Sequence, residues 1–349
     1  MERLFEFPAE VVSKIFEKAG YETVQTLRKT SWELRNFIDD SSPNLRIQSI
    51  LIRMVRSTEI HLAVKFWDSK NSLDVRYTQE MEHCSVVKDA LTRNRREVIL
   101  ENQNHVEVFF KDIEILRKYL DHPKVILEKF SIKFSIKDPF NLIERIRNIL
   151  RTGHPLKVEK LHLKISASSQ FYEIFSNLAP GVLKDIKVEF QSDWEGPHEG
   201  FLNLDEVVTL DAWEQAKTVD ILNFYVTNPS RFLHFTKVKV DFTWMTMEEY
   251  MMIRNNILHS DSPRCFSCQY SDEEPGTFRK ILESLGGITV PLVSSLFVAS
   301  LDIQLPENSE DGLVTDLGHS GFTLKKNWNV DKLRNFIDHF FDEELENGA

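Results

Sequence analysis

The sequence predicts an α/β protein in which a short N-terminal unit of three helices precedes a long region of irregular strand–helix units. The first supporting observation is an apolar stripe at helical spacing close to the N-terminus. The second is a regular alternation of strand-like and helix-like segments after residue 100. At 349 residues and 42% apolar content, the chain can bury a core, and its length alone favours about two domains.

Residues 8–41 have the pattern of three short helices. Pro8 suits a first helical position because its missing N–H costs nothing there, and Gly20 is expected to end the first helix. Thr23 and Ser31 are of the types that cap helix N-termini. A unit this small cannot bury a full core by itself, so its apolar surface must meet either the rest of the chain, as a helical cap, or another protein.

Residues 4–44 resemble an F-box, through the string FEFPAEVVSKIFEKAGYETVQTLRKTSWELRNFIDD. The F-box is the helical motif that binds a Skp-type linker protein, which in turn joins a cullin scaffold in an SCF ubiquitin ligase. The resemblance implies that a set of apolar residues faces the linker. That set is Pro8, Val12, Ile15, Phe16 and Leu27.

Residues 45–99 are expected to hold a connecting helix followed by a β-hairpin or strand pair. The segments TEIHLAVKFW and DVRYTQ both alternate apolar and polar residues, and a polar turn sequence joins them.

Residues 100–290 alternate strands with amphipathic helices. The predicted strands are His105–Phe110, Leu127–Lys137, Val158–Ile165, Ile186–Phe190, Thr218–Phe224, Lys237–Phe242 and Cys265–Tyr270. The predicted helices lie within residues 139–150, 170–181, 246–258 and 278–287, and the third begins with a Thr246-x-x-Glu249 capping box. Residues 291–349 are expected to add terminal strands and a C-terminal amphipathic helix over 330–349, which could cover the last strand or enter a partner's groove.

Strand–helix units of this length are typical either of a leucine-rich-repeat-like solenoid or of a doubly wound sheet. The segments VEKLHLKI, LKDIKVEF, LDAWEQAKTVDIL and TKVKVDF, which follow the F-box-like unit in that order, resemble the FTH region of nematode F-box proteins (F-box A type). That resemblance favours the leucine-rich-repeat-like arrangement. It also implies that residues 100–290 recruit a substrate protein.

Strand alternation places lysines on one side of several predicted strands and apolar residues on the other. If the strands are parallel neighbours, these lysines form a cationic face that could bind an acidic segment of a substrate; an ordinary solvated strand surface is the alternative. The candidate residues are Lys129, Lys133, Lys160, Lys164, Lys187, Lys237 and Lys239. Residues 91–165 contain 16 Lys/Arg against 10 Asp/Glu, a local charge of +6 within a chain of net charge -11.

No motif for catalysis, a cofactor or a metal is present in the sequence. Phosphate-binding glycine loops, zinc-protease motifs and calcium loops are all missing. Cys265-x-x-Cys268 is a single pair, and on a strand its members would face opposite sides, so buried free thiols are expected. Three cysteines also argue against a disulfide scaffold.

The sequence therefore predicts a non-enzymatic, substrate-recruiting adaptor of an SCF-type ubiquitin ligase. Its expected partners are a Skp-type linker, through it a cullin, and a substrate protein whose identity is unknown. The acidic net charge argues against nucleic acid, and the sequence suggests neither a signal peptide nor a membrane span, so a cytoplasmic or nuclear location is expected. The alternatives are an F-box scaffold acting outside ubiquitin transfer and an α/β hydrolase-like enzyme with a helical cap.

Overall fold

A computed structural model describes most of the chain. The described residues are 7–41, 43–67, 72–88, 96–135, 138, 140–191, 200–243, 245–260, 264–270, 299–303, 313–318 and 321–326. They divide into two compact units, Met1–Ala216 and Lys217–Ala349. Both units contain helices and strands, so the predicted α/β class is confirmed.

The first unit begins with two helices, α1 (Ala9–Thr30) and α2 (Trp32–Ser41). Pro8 is the residue just before α1, and Gly20 interrupts the helix with φ 76° and ψ 167°, a conformation that glycine adopts without steric cost. The predicted break at Gly20 is therefore present, but the predicted cap at Thr23 is wrong, since Thr23 lies inside the helix. The Ser31 hydroxyl accepts a hydrogen bond from the Leu34 N–H at 3.1 Å, as a helix cap does.

A sheet forms the body of the first unit, with its strands in the order β8-β7-β6-β1-β2-β3-β4-β5. The strands are β1 (Ile47–Arg56), β2 (Glu59–Phe66), β3 (Ser72–Glu80), β4 (His83–Lys88), β5 (Arg96–Glu101), β6 (Leu127–Phe134), β7 (Val158–Ile165) and β8 (Asp185–Phe190). Strands β1 to β5 form an antiparallel meander, which contains the predicted hairpin as β2 and β3. Strands β1, β6, β7 and β8 are parallel neighbours.

The expected connecting helix is instead the strand β1. Its residues alternate between buried and accessible positions, with Ile50, Ile52 and Met54 at most 2% exposed. This period of two matches a strand with one buried face.

The strand predicted over His105–Phe110 is also wrong, because these residues begin helix α3 (His105–Leu120). The Asn104 side chain caps the helix by accepting from the Val106 N–H at 2.8 Å. The His105 ring bonds to the carbonyl of Ser57 at 3.1 Å and to the Gln79 side chain at 3.2 Å, so the start of α3 is fixed to the β1–β2 turn and to β3.

The helices α4 (Leu142–Leu150) and α5 (Ser168–Phe175) connect β6 to β7 and β7 to β8. Consecutive parallel strands are therefore direct neighbours, and α3, α4 and α5 contact one another in chain order. From β1 through β6, β7 and β8, each parallel strand is thus added beside the preceding one. The core row across the four parallel strands is Ile52, Ile132, Leu163 and Val188.

Buried Arg117 links α3 to the end of α4 and to the loop before β7. Its guanidinium donates to the carbonyls of Leu150 at 3.2 Å and His154 at 2.6 Å, and it pairs with Asp121 at 2.8 Å. Gly153 lies against these groups, and a Cβ at this position would overlap both carboxylate oxygens of Asp121. The absence of a side chain at Gly153 therefore lets the α4–β7 loop approach α3.

The first unit ends with β9 (Gly200–Phe201), a short 3₁₀ helix (Val207–Thr209) and α6 (Asp211–Gln215). The second unit contains three parallel strands, β10 (Thr218–Val226), β11 (Lys237–Phe242) and β12 (Cys265–Tyr270). A 3₁₀ helix (Pro229–Phe232) and α7 (Met247–Leu258) connect them. The predicted capping box of α7 is confirmed, since the Thr246 hydroxyl accepts from the Glu249 N–H at 3.2 Å and the Glu249 carboxylate accepts from the Thr246 N–H at 2.8 Å.

Three antiparallel strands, β13 (Ala299–Ile303), β14 (Leu313–Gly318) and β15 (Gly321–Lys326), complete the second unit, and β15 pairs with β12. The helices predicted over 278–287 and 330–349 lie outside the described residues.

Replacing Gly153 by Ala is expected to destabilise the first unit by about 2 kcal/mol, because the new methyl group must displace Asp121 and the Arg117 guanidinium. Urea unfolding of the full chain measures this loss. Arg151→Ala is the control, since Arg151 is exposed in the same loop; equal stability of both variants would contradict the close approach.

Candidate protein-interaction surfaces

An ion-pair cluster holds the N-terminal helices to each other and to α3. The Asp39 carboxylate on α2 accepts from Arg28 of α1 through both oxygens, at 2.7 and 2.9 Å, and from Lys118 of α3 at 2.9 Å. The Asp39 side chain is only 20% exposed, so these bonds are partly shielded from water. Burial alone would raise the pKa of Asp39, but the Arg28 and Lys118 cations hold it below its ordinary value.

Aromatic side chains form a second contact between α1 and the body of the unit. The Tyr21 ring stacks on Phe66 of β2 with centroids 5.5 Å apart and meets Tyr119 of α3 edge-on at 6.2 Å. Gln25 donates to the Tyr119 hydroxyl at 3.0 Å. The N-terminal helices are therefore packed against the sheet and α3, as the helical-cap alternative predicts.

A half-buried carboxylate, Asp112 of α3, lies near this contact. The hydroxyl of fully buried Tyr77 on β3 donates to Asp112 of α3 at 2.6 Å. Burial raises the pKa of Asp112, against the opposing effects of the Tyr77 bond and the Lys29 cation. The bond joins α3 to the meander, so the helix that receives α1 and α2 is itself fixed in place.

The residues expected to face a linker separate into two groups. Val12 and Phe16 are 0% exposed, and Phe16 packs edge-on against Phe37 of α2 with centroids 6.1 Å apart. The expectation that Val12 and Phe16 face the linker is therefore wrong. Both are core residues, because the opposite side of α1 is the accessible one. Pro8 is exposed, Ile15 is 42% exposed, and Leu27 is partly exposed.

The accessible side of α1 carries an apolar stripe that was not included in full in the predicted set. Phe7, Val11 and Ile15 are 53%, 40% and 42% exposed. Val11 and Ile15 are four residues apart on one face of α1, and Phe7 lies two residues before the helix begins. We call these three residues the N-terminal stripe.

The structure places four of the lysines predicted for the cationic face on neighbouring parallel strands of the first unit. Strand register pairs Lys129 with Lys160, and Lys133 with Lys164. The row containing Lys133 also includes Arg53 of β1 and Glu189 of β8. We call the outward residues Arg53, Lys129, Lys133, Lys160 and Lys164 the basic strand face.

Not every lysine predicted for this face is an unpaired cation. Lys187 lies opposite buried His162 and approaches the Glu189 carboxylate at 3.3 Å. His162 also bonds to Glu189, at 3.0 Å, and burial lowers the pKa of the imidazole. At neutral pH, His162 therefore donates as a neutral ring, and Glu189 remains ionised between it and Lys187.

Lys237 and Lys239 belong to β11 of the second unit, where they face Thr218 and Asp220 of β10 in register. The basic strand face as defined above does not include them. Arg53 and Glu189 were missed. Only the strand order brings Arg53 into the row, whereas Glu189 lies two residues from Lys187 on β8, and this spacing could have placed it on the same face.

The described residues contain no cluster of three His, Cys, Asp or Glu side chains that could hold a metal ion. Cys84 and Cys268 are buried and Cys265 is half-buried, all three as free thiols, which agrees with their interpretation as structural residues. No described helix has both the length and the apolar character needed to cross a membrane.

Two surface clefts in the first unit have volumes of about 600 and 400 Å³. The first is lined by the loops that precede β6 and β7, and the second by the starts of β1 and β6. Both lie at the amino ends of the parallel strands, whereas α/β enzymes bind ligands at the carboxyl ends. Neither cleft supports the hydrolase alternative.

Residues 140–285 match the FTH domain family. The FTH domain is an F-box-associated family. The match lies within residues 100–290, where the sequence predicted such a domain. Comparisons with curated proteins and with solved structures found no match.

Replacing Asp39 by Asn is expected to destabilise the chain by about 2 kcal/mol at pH 7, because Arg28 and Lys118 lose their charged acceptor. The folded pKa of Asp39 lies below its ordinary value of 3.8, so the ion pair stabilises the fold fully above that value. The contribution is lost as the pH falls through the lowered pKa. Urea unfolding at pH 7 and at successively lower pH should show a shrinking difference in unfolding free energy between the unmodified chain and the Asp39→Asn variant.

Asp40→Asn is the matched control, since Asp40 is the exposed neighbour on the same helix. If the Asp39 and Asp40 variants are equally stable at pH 7, the ion-pair cluster does not hold α1 and α2 to α3.

Proposed function

We propose that the chain is a substrate-recruiting adaptor of an SCF-type ubiquitin ligase. The carrying observation is the match of residues 140–285 to the FTH domain, an F-box-associated family, downstream of a helical segment that resembles an F-box. In this proposal, the N-terminal helices bind a Skp-type linker that connects to a cullin, and the remainder of the chain holds a substrate protein.

The exposed part of α1 supports the linker role. The N-terminal stripe presents three large apolar side chains at 40% to 53% exposure, while the opposite side of the helix is buried against α2. Exposed apolar groups that lie together on one helix face are typical of sites where a partner docks. The linker-contact set of this proposal is therefore Phe7, Pro8, Val11 and Ile15, together with the partly exposed Leu27 beyond the break at Gly20.

The anchoring of the helices supports the adaptor role. An adaptor of this kind acts by holding the substrate near a ubiquitin-charged enzyme, which raises the effective concentration of the reacting groups. A segment that moved freely on the body of the protein would weaken that effect. Here, the Asp39 ion pairs and the Tyr21 ring contacts fix α1 and α2 to α3 and β2.

Replacing Ile15 by Asp tests the linker role, because a charge in the centre of the N-terminal stripe must be desolvated when a partner covers it. We expect the affinity for a purified Skp-type linker to fall at least tenfold, equivalent to about 1.4 kcal/mol. Isothermal titration of the full chain with the linker measures the change.

Met81→Asp is the matched control. Met81 is 97% exposed on the β3–β4 turn, so the same apolar-to-acid change is made away from the stripe. Retained binding by the control and loss by the Ile15 variant supports the proposal. Absence of linker binding by the unmodified chain, or equal binding by both variants, contradicts it.

A further inference from the structure

The basic strand face concentrates positive charge that the described part of the chain does not neutralise. Among the described residues, no carboxylate oxygen lies within 4.0 Å of the cationic groups of Arg53, Lys129, Lys133 or Lys164. Lys160 approaches Glu128 only at 4.0 Å. Burial lowers the pKa of the Lys133 ammonium, and the nearby Lys129, Lys187 and Arg53 cations add to that effect against the opposing charge of Glu189. These cations therefore repel one another in the free protein.

The charges have a definite layout. One row consists of Lys129 and Lys160, which are in register on β6 and β7. A second row consists of Arg53, Lys133 and Lys164 on β1, β6 and β7. The rows are four residues apart along each strand, which corresponds to about 13 Å.

The row of residues between the two cationic rows contains no charged side chain, and two of its three members are buried. Its members are Leu51 on β1, Ser131 on β6 and His162 on β7. Ser131 and His162 are only 2% and 7% exposed. A floor of buried or uncharged groups thus runs across the strands, with cations along both sides.

We propose that this floor binds an extended acidic peptide segment, rich in Asp and Glu, lying across β1, β6 and β7. An extended chain directs successive side chains to opposite sides, so alternate carboxylates would reach the two cationic rows. Strands about 4.8 Å apart and residues about 3.3 Å long give a segment of about three to five residues over these strands. The inference rests on the proposed function in one respect: the acidic segment is taken to belong to the substrate that the adaptor recruits.

Glu189 and Asp185 define one end of the site. Both lie on β8, in register with Lys164 and Lys160. Glu189 is already paired with Lys187 and bonded to His162, so β8 contributes no further cation to either row, and the acidic segment is expected to stop at β7. Charge complementarity and this one-sided boundary favour a short acidic segment over a uniform polyanion.

Binding of a fluorescein-labelled serine decapeptide with five consecutive Glu residues at its centre to the purified full chain tests the proposal by fluorescence anisotropy, because consecutive acids in an extended chain point to both cationic rows. A Lys133→Glu/Lys164→Glu variant should bind at least about tenfold more weakly at low salt, because one cationic row is reversed. The affinity of the unmodified chain should also fall as salt is raised.

Lys111→Glu/Arg151→Glu is the matched control. It changes the net charge by the same amount at exposed positions on α3 and after α4, and it should bind the peptide as the unmodified chain does. Equal weakening in both variants, or no binding by the unmodified chain, would overturn the proposal. Tighter binding of a DNA duplex than of the peptide would also overturn the proposal. So would a loss of peptide binding when the chain self-associates, because the face would then be an interface between copies of the chain.

The peptide assay uses no linker protein, and its result is therefore separate from the linker titration. The Lys133→Glu/Lys164→Glu variant should retain linker binding, and the Ile15→Asp variant should retain peptide binding. Loss of linker binding alone contradicts the adaptor role and leaves the acidic-segment site standing.

Discussion

The candidate surfaces of the first unit depend on one ion-pair cluster. In it, both carboxylate oxygens of Asp39 accept hydrogen bonds from Arg28, and one of them also accepts from Lys118. It joins α1, α2 and α3 at one carboxylate. Because one side of α1 is buried by this arrangement, the other side is exposed. The same contacts that hold Val12 and Phe16 inside therefore place Ile15 outside.

Much of the fold could be predicted because one-sided burial leaves a direct pattern in the sequence. Strands β7, β11 and β12 have the predicted bounds. In β11 the accessible and buried residues alternate strictly, as they do in a strand with one buried face. The segment HVEVFF also alternates, yet it forms the start of α3. There the Asn104 cap and the continuation of the apolar stripe to Ile113 and Leu116 decide the conformation, and a six-residue window contains neither.

The candidate surfaces could be predicted only in part, for two physical reasons. Val11, Val12, Ile15 and Phe16 are all apolar and form one broad stripe on α1, so only tertiary packing determines that Phe16 is buried and Ile15 is exposed. The basic strand face depends on strand order as well as on alternation. Alternation identified Lys133 and Lys164, but β1 enters the sheet beside β6 from a distant part of the sequence, which adds Arg53 to their row.

The central claim is that the accessible side of α1, fixed on the sheet and α3, is a docking surface for a Skp-type linker. Amide hydrogen exchange of the full chain, compared with and without a saturating linker, tests it most directly. The account predicts slower exchange in residues 7–18 and unchanged exchange in β6 and β7. Unchanged exchange in residues 7–18, or protection confined to the parallel strands, would contradict it.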